Sequence, residues 1–408
     1  MSFLEELRTS HWSLATAMFS DRTNWKLTRN RLTQALDEVK SRGARVLDLT
    51  ISNPTRAGLY YETPRILQSL AAPQAMDYDP QPKGLPSARV AVAEYYKTVH
   101  GIGDFDSERL ILTTSTSEGY SFVFRLLCNP GDELLVPKPS YPLFEFLAEL
   151  QDVKLIPYPL IYDHGWQMDF PSLEKVVTKR TRGVVVVHPN NPTGSYVQAH
   201  EQESLDRFCR EHGLAVIADE VFLDYAHNRA PQRSFAANHD VLTFTLSGVS
   251  KISALPQMKV AWIAASGPVQ EVEAAQARLE VIADTYLSMN APIQWAVPAL
   301  LEQRASIQQQ LLDRLITNLA ELDRQLSTQK TCQRLSVEGG WYAVLRVPVT
   351  QTDEELAIDL LRRKSVLVHP GHFYDFPSDR YLVLSLITPG NEFAEGIGRL
   401  LELLIDDY

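Results

Sequence analysis

Between about residues 84 and 275 the spacing of the apolar positions alternates between two periods. Apolar residues recur three and four positions apart in LPSARVAVAEYYKTV, SEGYSFVFRLLC, SYPLFEFLAEL and EQESLDRFCREHG, which predicts amphipathic helices. The short apolar runs between them predict strands: RLILTT, DELLVP, VKLIPYPL, GVVVVH, LAVIAD and VLTFTL. Uninterrupted valine runs are typical of strands buried on both faces of a parallel sheet. The alternation therefore predicts a doubly wound, mostly parallel α/β domain.

The pattern changes on either side of this region. Residues 1–25 mix polar and aromatic positions without a period, and we expect an arm there. A helix is predicted at 27–42, ended by Gly43, and VLDLTI at 46–51 predicts a strand. The apolar face of that helix consists of Leu27, Leu32, Ala35, Leu36 and Val39. From about residue 292 helical patterns dominate, followed by short strands in GGWYAVLRV and YLVLSLI.

These patterns predict two domains. Residues 46–290 form the large domain with the parallel sheet, and residues 291–408 form a smaller α+β domain. The N-terminal arm and helix, residues 1–45, are expected to join the smaller domain. A chain of 408 residues is long enough for this division.

Composition and charge exclude several classes of protein. The net charge of −11 argues against a nucleic acid or an anionic membrane as a partner. No apolar run approaches the roughly 20 residues that cross a bilayer, and the N-terminus lacks the apolar segment of a secretory signal. The three cysteines, Cys128, Cys209 and Cys332, are widely spaced and show no metal-ligand pairing. We expect reduced thiols, no metal and a cytoplasmic protein.

Unusual residues follow the predicted strands, where ligands bind in open parallel sheets. Ser115, Thr116 and Ser117 follow RLILTT and enter a helix. Their backbone N–H groups and hydroxyls suit a phosphate, although the same residues equally fit an ordinary helix cap. Tyr141 follows DELLVP, where it could stack on an aromatic ligand or pack at the edge of the core.

Two further strand ends carry polar groups. Asn191 lies in PNNPTG after GVVVVH, where two prolines and a glycine fix the direction in which its amide donates. Asp219 ends LAVIAD, and a carboxylate buried there needs a partner, for which a pyridinium nitrogen is one candidate. Lys251 follows VLTFTL behind a turn of small residues, and a lysine in such a setting can form a Schiff base with an aldehyde.

In this order and spacing, the motifs resemble those of the class I/II aminotransferases, a family of fold-type I pyridoxal-phosphate enzymes. The similarity runs from Tyr78 and GLP at 84–86 to PG at 370–371. The resemblance implies that Lys251 forms the Schiff base with pyridoxal 5'-phosphate and moves protons, and that Asp219 pairs with the pyridine nitrogen. It also implies that Asn191 donates to the ring oxygen and that Tyr141 stacks on the ring.

The resemblance further implies which residues hold the phosphate. They are Ser115, Thr116, Ser117, Ser250 and Lys259, with Tyr78 reaching the site of a partner subunit. A homodimer with shared active sites follows from that role of Tyr78, and the arm is expected to close over the dimer or the site entrance. The substrates implied are an amino donor and a 2-oxo acid, both small molecules.

The chain departs from the family pattern at three positions. Lys259 stands where an arginine usually binds the phosphate, which keeps the charge and loses the bidentate geometry. Phe222 stands where a tyrosine commonly bonds the ring oxygen, so the Schiff-base nitrogen should be more basic. Val383, in YLVLS, stands where an arginine clamps the substrate carboxylate, and a valine cannot pair with that charge.

Another cation is therefore expected to bind the carboxylate, unless the substrate is not a standard α-amino acid. The candidates are Arg56, Arg346 and Arg380, of which Arg380 should point to the opposite face of its strand. Asn53 and Arg56 lie in SNPTRAG, where the chain of family members passes the substrate, and we favour Arg56. Trp341 is predicted either to line the substrate pocket or to pack in the core.

Three functions compete at this stage. The first is a transaminase that follows a ping-pong mechanism, with Lys251 as general base and acid. The second is a non-transaminating enzyme on the same scaffold, namely a β-lyase, a cyclase or a decarboxylase, which the missing arginine motivates. The third, a non-catalytic binding or regulatory relative, is disfavoured because the expected cofactor positions are intact.

Overall fold

A large central sheet and a small antiparallel sheet organise the protein, for which a computed structural model describes residues 18–25, 27–348 and 350–406. The strands are β1 Leu47–Asp48, β2 Leu110–Thr113, β3 Glu133–Lys138, β4 Lys154–Tyr162, β5 Trp166–Met168, β6 Thr181–Val187, β7 Ala215–Asp219, β8 Thr243–Gly248, β9 Ala261–Ser266, β10 Gln333–Arg334, β11 Tyr342–Arg346, β12 Val366–Leu367, β13 His369–Pro370 and β14 Tyr381–Ser385.

Helices connect and cover these strands. They span Arg31–Ser41, Thr63–Ser69, Pro86–His100, Thr116–Leu127, Leu143–Glu149, Phe170–Val176, Ala199–His212, Val249–Ile252, Val269–Tyr286, Ala291–Glu302, Arg304–Leu326, Asp353–Lys364 and Gly390–Asp406. Among the residues that the structure describes, no helix has both the length and the apolarity needed to cross a membrane.

The large sheet has eight strands in the order β2-β9-β8-β7-β6-β3-β4-β5. Its centre is parallel, from β8 through β7, β6 and β3 to β4, whereas β9 and β5 run antiparallel to their neighbours. Strand and helix alternate along this part of the chain as the hydrophobic pattern predicts. The predicted doubly wound, mostly parallel sheet is confirmed.

Strand β6 shows why its sequence is an unbroken apolar run. Val184 and Val186 belong to the hydrophobic cluster on one face of the sheet, and Val185 and Val187 belong to the cluster on the other. Successive side chains of a strand point to opposite faces, so a strand covered by helices on both sides needs apolar residues at every position.

The small sheet, in the order β10-β11-β14-β13, is antiparallel and lies in the C-terminal part of the chain. The N-terminal helix Arg31–Ser41 packs against Asp353–Lys364, and β1 pairs in parallel with β12. N- and C-terminal segments therefore share one core, as predicted. The pairing of β1 favours placing the chain just after residue 45 with that part too, although the domain boundaries stay a prediction.

Two local expectations are corrected. The predicted helix at 27–42 begins only at Arg31, because the Asn30 side chain accepts a hydrogen bond from the Thr33 N–H and caps it. Leu27 lies before this cap and is 69% exposed, so its placement on the buried face is wrong. The strand predicted at 46–51 is two residues long. The predicted arm falls mostly outside the described residues.

Candidate active site

The carboxyl ends of five strands meet at one edge of the large sheet. β3, β6, β7 and β8 run parallel, and β2 runs the same way because it is antiparallel to β9, which is antiparallel to β8. The residues that follow or end these strands are Ser115, Tyr141, Asn191, Asp219 and Lys251. The topology thus brings to one edge the segments that carry the predicted site residues.

Asp219, the last residue of β7, has hydrogen bonds on both carboxyl oxygens. The Tyr120 hydroxyl donates to Oδ2 at 3.0 Å and the Val221 N–H donates to Oδ1 at 3.1 Å. Burial raises the pKa of Asp219 to about 6, against the opposing effects of these two bonds and of the positive charge of Lys251. A carboxylate that is desolvated and oriented in this way is a strong acceptor for a cationic N–H.

The helix Thr116–Leu127 begins directly after β2. The Ser115 hydroxyl accepts from the Glu118 N–H at 3.2 Å, so this side chain acts as the helix cap, the alternative that the sequence left open. The first-turn N–H groups of Thr116 and Ser117 have no acceptor within the helix and can bind an anion. A Cβ at Gly119 would lie 2.9 Å from Leu246 Cδ2, so a glycine lets this helix approach the sheet closely.

Lys251 lies in the four-residue helix Val249–Ile252 behind Gly248. Its Nζ lies 4.8 Å from the centre of the Trp341 ring and 5.5 Å from that of Phe222. The two rings contact each other edge to face at 5.1 Å, and Trp341 is fully buried. Aromatic faces attract a cation and exclude water from its side. The influence of Lys251 on the pKa of Asp219 indicates that the two groups share one site.

Asn191 lies in a tight loop after β6. Gly194 has a φ of +69°, and a Cβ there would lie 2.4 Å from the Gly339 carbonyl oxygen, so the loop requires glycine. Asn191 is buried, and its amide oxygen has no hydrogen-bond partner among the described residues. An amide with an unsatisfied buried atom fits a site that awaits a polar ligand. Tyr141, after β3, is partly buried.

The remaining predicted phosphate residues are more open. Lys259 is exposed and has a φ of +54°, at the end of the turn Pro256–Met258. Ser250 is partly buried beside Lys251, and Tyr78 is 78% exposed. The structure therefore leaves Lys259 and Tyr78 accessible without bringing them against the groups at Asp219.

Of the predicted substrate residues, only Trp341 lies against the reactive amine. The Asn53 side chain accepts from the N–H and hydroxyl of Thr55 at 3.0 and 2.7 Å, so it caps the turn Pro54–Arg56. Arg56 is exposed, and within the described part of the chain it makes no ion pair. Its guanidinium is thus available to an external carboxylate.

Val383 is in the middle of β14 and 1% exposed. It pairs across the sheet with Val344 on one side and His369 on the other. Of the alternative cations, Arg380 precedes this strand and is exposed, and Arg346 lies opposite Tyr381 at the other end of the β11 pairing. The position that holds an arginine in the family pattern is therefore an enclosed apolar one here.

Sequence reasoning missed two tyrosines. Tyr120 bonds Asp219 from the second turn of the helix that Thr116 begins, and the i, i+4 spacing of a helix was a usable signal. Tyr225 donates its hydroxyl to the Lys251 carbonyl at 2.6 Å. Nothing in the sequence predicts that contact, because it joins two loops that follow different strands.

These groups fit pyridoxal phosphate. A cofactor with an aldehyde, a basic ring nitrogen and a phosphate needs an amine, a carboxylate and an anion site. Lys251, Asp219 and the helix start at Thr116 supply one of each, and the unsatisfied amide of Asn191 adds a polar contact. One edge of the sheet therefore carries the amine, the carboxylate and the anion site that such a cofactor needs.

Known proteins are similar to this chain over most of its length. The profile of the family described as aminotransferase class I and II matches residues 44–381. The chain is 29% identical to an alanine aminotransferase of Mycobacterium tuberculosis over 92% of this chain and 90% of that protein. It is 27% identical to the glutamate-pyruvate aminotransferase AlaA of Escherichia coli, over 85% and 88%.

Solved structures agree on the fold. An aminotransferase from Escherichia coli superposes with a TM-score of 0.82 at 25% identity, covering 92% of this chain and 95% of that one. An alanine aminotransferase from Pyrococcus furiosus gives a TM-score of 0.85 at 23% identity, over 92% and 96%. The match of the profile to most of the chain decides the assignment. The protein belongs to the class I and II aminotransferases, a family of transferases that use pyridoxal phosphate.

Proposed function

We propose that the protein transfers the amino group of a small α-amino acid to a 2-oxo acid in a ping-pong cycle. Alanine and pyruvate are the first candidates, because the relatives named above are alanine and glutamate-pyruvate aminotransferases. The observation that carries the proposal is the Lys251 amine, which lies against Trp341 and within the electrostatic influence of Asp219.

The residues divide the chemistry among themselves. When bound, pyridoxal phosphate supplies an aldehyde carbon for the amino group and a ring that withdraws electrons. The Lys251 Nζ takes the proton from the substrate Cα and gives it back later in the amino transfer. The Asp219 carboxylate would accept a hydrogen bond from the ring N–H and keep that proton in place. Trp341 and Phe222 exclude water from the amine.

The cofactor contacts follow the sheet edge. We assign the phosphate to the N–H groups and hydroxyls at Thr116 and Ser117, with Ser115, Ser250 and Lys259 completing the anion site. The Asn191 amide N–H would donate to the ring oxygen, and Tyr141 would cover one ring face. The support is the position of these residues at the carboxyl ends of the strands.

The substrate side is selected by size and charge. The buried indole of Trp341 occupies the space beside the amine, which favours a short substrate side chain. Arg56, with no ion pair in the described part of the chain, supplies the cation for the carboxylate that Val383 cannot bind, and Asn53 holds the turn that carries it. Arg56→Ala should raise KM for alanine about tenfold. Arg380→Ala is the matched control, and equal effects would reject the assignment.

A homodimer with shared sites is part of the proposal. Tyr78 is 78% exposed, and Met76, two residues before it, is 89% exposed. An apolar surface of this kind next to a predicted phosphate residue favours a second copy of the chain as its cover. Coexpressed K251A and Y78A subunits test it, because a hybrid dimer with shared sites contains one site without either substitution. Recovery of activity is expected, and its absence would mean that each site is built from one chain.

We also propose a cytoplasmic location. The cysteines are not paired with one another, and burial raises the pKa of the Cys128 and Cys332 thiols to about 12. Such thiols are unreactive and consistent with a reducing compartment.

An absorbance titration of the cofactor-loaded protein tests the central proposal. Alanine should convert the visible band of the bound cofactor to the ultraviolet band of its amine form, with one equivalent of pyruvate released. Added 2-oxo acid should restore the visible band. Release of ammonia, carbon dioxide or thiol without that conversion would instead indicate the lyase, cyclase or decarboxylase reactions.

A further inference from the structure

The helix that carries Lys251 is too short to hold its own shape. It has four residues, Val249–Ile252, and the chain leaves it through Ala254, whose φ of +51° is in the left-handed region. A single helical turn is unstable by itself, and a non-glycine residue in that region persists only where its surroundings fix it. Something outside the helix must therefore fix the backbone at Lys251.

Three side-chain donors contact the carbonyls of this turn. The Tyr225 hydroxyl donates to the Lys251 carbonyl at 2.6 Å, and Gln308 Nε2 donates to the Ile252 carbonyl at 2.9 Å. The Tyr61 hydroxyl donates to the Ala254 carbonyl at 3.0 Å. We call Tyr61, Tyr225 and Gln308 the lysine brace. Its members come from three separate segments of the chain, so they fix the turn from several directions.

Gln308 is itself held in place. Its Nε2 donates a second hydrogen bond to Asp224 Oδ2 at 2.6 Å, so both amide hydrogens are used. The other oxygen of Asp224 accepts from the Tyr95 hydroxyl at 2.9 Å and lies 3.2 Å from His100 Nε2. Gln308 belongs to the long helix Arg304–Leu326, which packs against Gly390–Asp406. The Gln308 amide is thus one of the contacts between the C-terminal part of the protein and the lysine turn.

Tyr225 connects both ends of Lys251. Its hydroxyl bonds the lysine carbonyl, and its ring lies 5.3 Å from that of Trp341, edge to face. Trp341 in turn lies against the lysine amine. Tyr225 is fully buried, so this chain of contacts is enclosed by protein. The backbone and the amine of Lys251 are consequently positioned by one connected group of side chains.

We propose that Tyr225 and Gln308 are positioning residues for Lys251, and that they set the direction from which its amine reaches the cofactor and the substrate Cα. The inference rests on the proposed role of Lys251. A lysine side chain has four rotatable bonds, so a loosely held backbone would broaden the position of Nζ. Proton transfer is sensitive to such displacement, since errors of about 1 Å can cost about a hundredfold in rate.

The test uses Y225F, which removes only a hydroxyl, and Q308M, which removes both donors at nearly constant volume. Tyr158→Phe is the control for the first, because it also deletes a buried hydroxyl that donates to a carbonyl, that of Val185, at 2.8 Å. Gln309→Met is the control for the second, at the next position of the same helix, where the amide bonds exposed Asp313.

Two measurements report on the lysine itself. The first is the rate at which the visible band forms when pyridoxal phosphate is added to the cofactor-free protein. The second is the primary isotope effect on kcat with alanine deuterated at Cα. We expect Y225F and Q308M to slow band formation about tenfold and to raise the isotope effect, with the control variants unchanged. Melting temperatures identify variants that have lost the fold.

The measurements separate a structural role of the brace from a positioning role. If Y225F and Q308M melt lower than the wild type while band formation and isotope effect match the controls, the brace is structural and the proposal is overturned. If Q308M does not fold, Y225F alone decides by the same criteria. A wild-type protein that forms no visible band with the cofactor would refute the role of Lys251 instead, which keeps the two failures distinguishable.

Discussion

The carboxyl edge of the large sheet keeps the amine, the carboxylate and the helix start of the family pattern, whereas the β14 strand of the small sheet departs from it. At the sheet edge the helix that begins at Thr116 bonds the Asp219 carboxylate through Tyr120, and the charge of Lys251 acts on the pKa of that carboxylate. On β14 the position of the carboxylate-binding arginine is an enclosed valine, Val383. The three groups proposed for the chemistry of the cofactor are thus present, apart from the changed contacts at Lys259 and Phe222, whereas the proposed contact to the substrate carboxylate is lost at Val383.

The difference has a physical basis. In the proposed roles, Asp219 and Lys251 would serve any reaction that the cofactor performs, so neither could change without loss of the chemistry. The cation that binds the substrate carboxylate can come from another position, because any cation within reach of the substrate supplies the same charge. Exposed Arg56 illustrates the second case, and partly buried Asp219 illustrates the first.

The largest expected effect is at the sheet edge. K251A removes the amine that moves the Cα proton, and we expect multiple turnover to fall about ten-thousandfold or more. The visible band of the bound cofactor should disappear with it. Steady-state assays with alanine and a 2-oxo acid measure the change, with the exposed Lys154→Ala as control. Appreciable turnover by K251A would contradict the contrast between the sheet edge and β14, because the sheet edge would then not carry the catalytic groups.

The sequence predicted this edge well and for a clear reason. Strand ends can be read from apolar periodicity, and parallel strands align their carboxyl ends, so Asp219, Asn191 and Lys251 were expected at one edge from pattern alone. Contacts between distant segments could not be predicted. Tyr225 and Gln308 meet the lysine turn only because a loop and a helix pack there, and no spacing in the sequence encodes that approach.

Local chemistry explains one wrong prediction, at Leu27, and the contact that Ser115 makes. Leu27 fits the apolar face of the following helix by spacing, but the cap at Asn30 starts the helix later and leaves Leu27 in solvent. Ser115 reads equally as a phosphate ligand and as a helix cap, since one hydroxyl suits both. Here its oxygen accepts from the Glu118 N–H and caps the helix, and the role of Ser115 at the phosphate site stays a prediction.

The second effect concerns β14. V383R places a guanidinium at an enclosed apolar position, and we expect the free energy of unfolding to fall by about 3–5 kcal/mol. Pyruvate should restore part of this loss if the position faces the substrate. Chemical denaturation with and without pyruvate measures both effects, and V383L controls for changed packing. A loss that pyruvate does not reduce would make Val383 a core residue with no link to the site.

The third effect is a pH dependence at Asp219. Its pKa in the folded protein is about 6, above the ordinary value of 3.8, so folding favours the protonated form. This contribution is fully present below about pH 4 and is lost as the pH rises through 6. Without cofactor the protein should therefore lose about 3 kcal/mol of stability relative to D219N over that range. Urea denaturation of both proteins between pH 4 and 8 measures it.

A constant difference between wild type and D219N would contradict that assignment. Saturation with pyridoxal phosphate supplies the matching control, because a bound ring N–H stabilises the ionised carboxylate and should remove most of the dependence. The same experiment distinguishes the sheet edge from β14 by the ligand that changes the stability of each variant. Asp219 should respond to the cofactor alone, and V383R should respond to pyruvate.

The smallest effect is expected at Phe222, between the two regions. Its ring lies 5.5 Å from Lys251 Nζ and contacts Trp341, so F222Y adds a hydroxyl next to the reactive amine. The resemblance to the family predicts a hydrogen bond to the cofactor's ring oxygen, which should lower the pH midpoint of the visible absorbance change by about one unit. Spectroscopic titration measures it, with F222L separating the effect of the hydroxyl from that of the ring. A midpoint shifted equally by both variants would mean that Phe222 acts through packing against Trp341. Phe222 would then resemble Val383, as an apolar replacement that affects the substrate side rather than the cofactor.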